Sequence, residues 1–271
     1  MKPEMKENSG KPNEKYGNVF RVKPRTKEFD QAYRLNTDTF GREEVDPKKI
    51  FATYLEKGAN PGYQMVMTAE DMGDKVVSEA SGSYITMQPK KDGTGWIEYT
   101  VTKKGLRTKG HGTRVVRKLE GEMVKEARKK KEKILGWAVH AEDQTLWPEA
   151  LYDSVGFWEK MGYRKIGVYR CPHYEFNAKT GDHLYEPDPY AFMIKMKGNG
   201  KSVRKSTLIR MLESVRYYHV EGSTIEDFDL EGSEEDRNAS YMNIKNYLNA
   251  RFDDLIEEIR KGPEMVELNQ K

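Results

Sequence analysis

Residues 105–116, GLRTKGHGTRVV, bring three glycines and four basic side chains together between a strand-like run and a helix-like run. Glycine lets a backbone approach a ligand closely or take positive φ, and a helix start offers N–H groups with no partner and the positive end of the helix dipole. Gly110 and Gly112, with the N–H groups that follow them, therefore predict a concave anion site of phosphate size. Arg107, Lys109, Arg114 and Lys118 could neutralise its charge, the first two favoured by position. A Walker loop would need Lys and Ser/Thr after the second glycine, and here His111 and Gly112 follow Gly110. A Rossmann turn would need a third glycine where Val115 stands.

The elements that must hold this turn can be read from periodicity. Thr26 caps a helix whose apolar positions are Phe29, Tyr33 and Phe40, and a second short helix starts with Asp46 as cap and Pro47 as its first residue, ending at Gly58. Three strands, GYQMVMTAE, KVVSEASGSYITMQ and GWIEYTVTK, form an antiparallel meander, with PKKDGTG as the second turn. After the glycine turn, Val115, Val116, Leu119, Met123 and Ala127 make one apolar stripe, while RKKKEK reads as a solvated face. KILGWAVHA is a strand, WPEALYDSVGFWEKMG a helix opened by Pro148 and closed by Gly162, and YRKIGVYR and YAFMIKMK are strands. Between the last two lies a turn-rich insertion, residues 171–187. Its Cys171, His173, Asp182 and His183 fit no zinc spacing, so no metal site is expected.

Residues 1–17 read as a disordered leader, 18–197 as the main domain and 198–271 as a helical extension with an acidic link, EGSTIEDFDLEGSEED. Beyond residue 197 the chain carries 15 Asp and Glu against 11 Lys and Arg, so the net charge of +3 comes from the main body. That surplus suits an anionic ligand, and nucleic acid, supported by charge alone, is not the expected partner. The extension places Ile244, Leu248, Phe252, Leu255 and Ile259 on one stripe, which needs a face on the main domain, on a second copy (a homodimer) or on another protein. No apolar run is long enough for a membrane span, and the single cysteine agrees with a reducing compartment, so a cytoplasmic protein is expected.

The succession of strand, RTKGHG, amphipathic helix, strand and FWEKMGY resembles the GCN5-related N-acetyltransferase (GNAT) family. Its pyrophosphate-binding turn, Arg/Gln-x-x-Gly-x-Gly/Ala, corresponds to Arg107, Gly110 and Gly112, and its later Phe-Tyr-Glu-Lys-x-Gly-Phe pattern to Phe157–Tyr163. The resemblance implies an α/β (α+β) fold, a mixed and mostly antiparallel central sheet flanked by helices, here with a C-terminal helical extension. It also implies acetyl-CoA as cosubstrate and transfer of its acetyl group to an amine by direct transfer in a ternary complex. Cofactor contacts then fall on Tyr99, Thr100, Val101 and Thr102, whose backbone would pair with the pantetheine arm, on Arg107, Thr108, Lys109, Gly110, His111, Gly112 and Thr113 of the turn, and on Trp158. Glu98 is the preferred base or ammonium-binding group, His140 and Glu142 stand where the family parts two parallel strands, and Tyr152, Tyr169 and Ser154 are candidate acids. Two departures stand out. The family's acidic tyrosine is replaced by Trp158, which has no hydroxyl. The usual valine before the turn falls at Thr102, with Val101 one step earlier, so the facing of Glu98 is open by one residue. A non-catalytic acyl-CoA-binding module is the competing reading.

Overall fold

The computed structural model of the chain describes residues 16–42, 45–58, 63–87, 92–148, 150, 153–170, 176–177, 182–183, 189–198, 202–220 and 233–268. The first helix, α1 (Lys27–Phe40), begins as its cap predicts, with the Thr26 side chain accepting from the Phe29 N–H. Helix α2 (Lys48–Lys57) starts one residue later than expected: Pro47 is the N-cap, no side chain caps it, and Asp46 lies outside. Gly58 closes it at φ 72°.

Strands β1 (Asn18–Arg21), β2 (Tyr63–Asp71), β3 (Val76–Met87) and β4 (Asp92–Thr102) form an antiparallel meander. Residues Asp92 to Thr94, read from sequence as turn, pair along β3 and belong to β4. The sheet continues through β5 (Lys133–Glu142), β6 (Arg164–Arg170) and β9 (Pro189–Met196) in the order β1-β2-β3-β4-β5-β9-β6. Among the described strands, only β4 and β5 pair in parallel. Two short pairs, β7 (Phe176–Asn177) with β8 (Asp182–His183) and β10 (Ser202–Arg204) with β11 (Met265–Glu267), stand apart from this sheet. Cys171 and His173 of the expected turn-rich insertion lie outside the described residues.

Each face of the sheet is covered. Helix α3 (His111–Lys129) lays Val115, Val116, Leu119, Met123 and Ala127 on one face, against Val66, Ala80, Tyr84, Ile97 and Trp137. The opposite face is shared: α1 and α2 cover Met65, Met67 and Ala69 of β2. Helices α5 (Lys205–Val220) and α6 (Glu234–Lys261) cover Ile85, Trp96, Ala138, Phe192 and Ile194. The stripe Ile244, Leu248, Phe252, Leu255 and Ile259 thus meets the main domain. Helix α6 also begins earlier than the acidic link suggested, because Ser233 and Asp236 form a reciprocal capping box and three acidic residues suit its first turn. Residues 221–232 of that link lie outside the described set. Helix α4 (Val155–Lys160) is shorter than its sequence pattern, with Ser154 as N-cap; Pro148 precedes it by several residues, and Gly162, at φ 90°, follows its end.

Candidate acyl-transfer site

The parallel ladder between β4 and β5 runs from Asp92↔Lys133 to Ile97↔Val139 and stops there. Beyond it β4 pairs with β3 alone and β5 with β9 alone, so the two central strands part toward their C-terminal ends. The cause is local. Ser81 faces Tyr99 while Gly82 faces Ile97, which leaves Glu98 as the extra residue of a β-bulge in β4. A bulge bends its strand, and here it turns β4 away from β5 at the residue expected to act as base. It also answers the register question, since Glu98 reaches Ser83 and points to the face covered by α1, α2 and α5.

At the mouth of this split lies the glycine turn. Gly110 is the N-cap of α3 at φ 93°, a conformation that costs a side-chain-bearing residue. A Cβ on Gly112 would stand 3.3 Å from Thr102 Oγ1 and 3.6 Å from the Phe157 ring, so glycine lets the helix start close against the end of β4. The first-turn N–H groups, including those of Gly112 and Thr113, have no carbonyl within the helix to bond and lie beside the split. Arg107 donates from Nε to the Thr102 carbonyl (3.0 Å) and Lys109 from Nζ to the Gly105 carbonyl (3.1 Å), both near the turn. Thr108 takes a positive φ of 64° within the loop.

Other predicted cofactor contacts are engaged elsewhere. His111 turns its side chain inward, where Nδ1 lies 3.1 Å from Glu70 Oε1. Glu70, fully buried, also takes Arg114 (3.2 Å) and the Gly17 N–H (3.0 Å). Lys118 pairs with Glu122 at 3.1 Å. Trp158 is buried with Tyr163 and Phe157 in the apolar cluster beneath α3.

The carboxylate of Glu98 is the centre of a hydrogen-bonded group that the sequence did not reveal. Its Oε1 accepts from Ser83 Oγ (2.8 Å) and from Tyr218 Oη (2.9 Å), with Tyr63 Oη at 3.5 Å. Tyr63 donates to Tyr218 Oη at 2.9 Å, and their rings stack at 4.7 Å. Burial pushes Glu98 up to about 7, Asp46 adds to the rise, and the hydrogen bonds from Ser83, Tyr218 and Tyr63 oppose it. Both tyrosines are held well above their ordinary value by burial and by Glu98, so they act as donors. Tyr218 belongs to α5 and lies 120 residues from Glu98 in the chain, a distance across which no local sequence signal reaches.

His140 stands past the split on the same face, with its ring against Trp96 (4.5 Å) and near His219 of α5 (5.9 Å). Burial, with His219 adding, holds it well below the usual histidine range, and burial holds His219 down to about 4. Both imidazoles are therefore neutral at pH 7. Ser154 Oγ donates to the Glu142 carbonyl at 3.3 Å. Tyr152 and the side chain of Tyr169 lie outside the described residues.

The described sheet is mixed and parts between its parallel strands β4 and β5, with a glycine turn and a helix start at the opening. Solved structures similar to parts of the chain, two of them described as members of the GNAT family, include acetyltransferases. One is an aminoglycoside 6'-N-acetyltransferase complexed with coenzyme A, 17% identical, TM-score 0.46, with 68% of this chain and 99% of that one covered. Another is the aminoglycoside 6'-N-acetyltransferase from Enterococcus faecium, at 16%, TM-score 0.44 and the same coverage. Naa50 of Arabidopsis thaliana, in complex with a bisubstrate analogue, is 16% identical, TM-score 0.45, covering 66% of this chain and 99% of its own. No protein-family model and no curated protein matches the sequence. No described helix is long and apolar enough to cross a membrane.

Proposed function

We propose that the protein is an acetyl-CoA-dependent N-acetyltransferase that acylates a primary amine by direct transfer. The observation that carries this reading is the bulge at Glu98, because it opens the sheet and sets a carboxyl of neutral pKa at the opening. The backbone of Tyr99–Thr102 along the split, the first-turn N–H groups of α3 and the cations Arg107 and Lys109 fit an extended thioester ending in a diphosphate.

Amide formation from a thioester requires a neutral amine. Glu98, about half ionised near pH 7, accepts one proton from the acceptor ammonium, and the Tyr218 and Ser83 hydroxyls hold its carboxylate in place. The amine nitrogen then forms the new C–N bond as the C–S bond breaks, and its second proton leaves with the sulfur to give a thiol. The neutral imidazole of His140 lies along the same face of the split and can relay that proton through water.

Thiol release from acetyl-CoA across a panel of amines tests the reading, together with coenzyme A binding by calorimetry. Turnover is expected, and Gly112→Asp is expected to abolish coenzyme A binding, since its carboxylate would stand at the anion site and crowd Thr102. Saturable binding with no turnover on any amine would instead mark a non-catalytic acyl-CoA-binding module. No binding at all would remove both readings.

A further inference from the structure

Strand β2 sends two polar side chains toward the helix that covers it. Alternation along the strand puts Val66, Thr68 and Glu70 on the face beneath α3. Val66 joins the apolar cluster under the helix, Thr68 donates from Oγ1 to the Val115 carbonyl (2.9 Å), and Glu70 stands under the first turn. There Glu70 Oε1 lies 3.1 Å from Nδ1 of His111, the first residue of α3, and 3.2 Å from Nη1 of Arg114, and it accepts from the Gly17 N–H at 3.0 Å. Glu70 is 0% exposed and His111 2%. Arg114 closes a second circle of contacts. Its Nη2 donates to the Gly17 carbonyl (2.9 Å), and its guanidinium lies 4.7 Å from the centre of the Tyr16 ring, which meets the His111 ring edge-on at 5.7 Å. The Tyr16 hydroxyl stands 3.7 Å from the place a Cβ on Gly110 would take.

An apolar side chain would fill the place of Glu70 without the desolvation that a buried carboxyl costs. What the carboxyl adds is direction. Apolar packing is non-directional and leaves a helix some freedom to slide and turn on the sheet, whereas polar contacts near 3 Å fix particular atoms against each other. Two of the Glu70 contacts fall on residues 111 and 114, which carry the first turn of α3, and the third falls on Gly17. The backbone from Gly110 to Thr113 is thus held from below by β2 and from the side by Tyr16 and Gly17.

Resting on the acetyltransferase reading, we infer that Glu70 is the positioning residue of the cofactor turn and that it makes Tyr16 and Gly17 part of the frame of that turn. Glu70 touches no cofactor. Its contacts to His111 and Arg114 set the first-turn N–H groups where the diphosphate of coenzyme A meets them. Donors fixed before binding lose little freedom on binding, so loosening them lowers affinity for the diphosphate and leaves the pantetheine arm, which lies along β4, unaffected.

Calorimetry on the full chain tests this by comparing coenzyme A with pantetheine, which has the arm and no phosphate. In Glu70→Gln the side-chain oxygen can still accept from Gly17 while the charge is gone; coenzyme A binding is expected to weaken about 10-fold, with pantetheine binding at its wild-type value. Gly17→Ala leaves Glu70 in place and displaces the N-terminal segment, because a Cβ there would overlap the Asp71 carbonyl oxygen. It is expected to weaken coenzyme A about threefold, again without an effect on pantetheine. Thermal unfolding accompanies each variant, and if Glu70→Gln does not fold, Gly17→Ala decides. Unchanged coenzyme A affinity in either folded variant, or an equal loss for coenzyme A and pantetheine, would overturn the inference and leave the transferase reading standing. A wild-type protein that binds no coenzyme A would overturn that reading and the inference together.

Discussion

Removing the Tyr218 hydroxyl isolates one contribution to the charge of Glu98. In Tyr218→Phe the ring can still stack on Tyr63 at 4.7 Å, while the 2.9 Å hydrogen bond to Oε1 is lost. A hydrogen bond to a charged group contributes about 1.5–3 kcal/mol net, and about 1.4 kcal/mol moves a pKa by one, so the bare loss corresponds to about 1–2 pH units. Ser83 remains at 2.8 Å, and Tyr63, no longer donating to Tyr218, can close its 3.5 Å gap to the carboxylate. The expected rise is therefore about 1 pH unit, carrying the Glu98 midpoint from about 7 to about 8. Carbon-13 NMR of glutamate-labelled protein reads this without any acceptor, with Glu98→Gln identifying the resonance. With a working acceptor, kcat/KM at pH 7 should fall about fivefold and recover above pH 9, because the ionised fraction drops from about half to about a tenth. A midpoint that stays put or moves down would refute the claim that Tyr218 stabilises the ionised carboxylate.

Acid stability follows from the buried imidazoles. His219 is held down to about 4, so the unfolded chain binds a proton that the folded one refuses between there and about 6.5. Stability is full above that window and falls with pH inside it, by about 1 kcal/mol between pH 7 and pH 5 once part exposure is allowed for; His140 acts in the same direction. Urea unfolding at the two pH values should show this loss, and His219→Phe should reduce it. Phe252→Ala opens a cavity under α6, where the ring is fully buried, and should cost about 3–5 kcal/mol in the same assay. A cost under about 1 kcal/mol would mean that α6 is not part of the core. Gly110→Ala forces a side chain into φ 93° and should lower stability by about 1–2 kcal/mol while weakening coenzyme A binding. Unchanged affinity would separate the turn's geometry from anion binding.

Local sequence was enough for much of the frame. The Thr26 cap, the α3 stripe and the glycine pair each act over a few residues, so their signals survive in the linear chain. It misjudged the ends of α2, α4 and α6, where caps compete with tertiary packing, and it read Asp92–Thr94 as turn because Gly93 and its polar neighbours mask a strand held by pairing with β3. Glu98 was legible as a carboxylate on the right strand, yet its facing was open by one residue, since only the pairing of β4 against β3 creates the bulge.

By itself the sequence determined residue chemistry and periodicity: which strands and helices form, where an anion could meet a bare helix start, and that the tail owned an apolar stripe in need of cover. Tertiary structure decided what those pieces face. It put the tail on the main sheet, brought Tyr218 to Glu98 from 120 residues away, and buried Glu79 with Asn36 on α1. Hydrogen bonding and desolvation act through space over a few ångströms, so a pKa near 7 at Glu98 is a property of that assembled neighbourhood and is written in no short stretch of the chain.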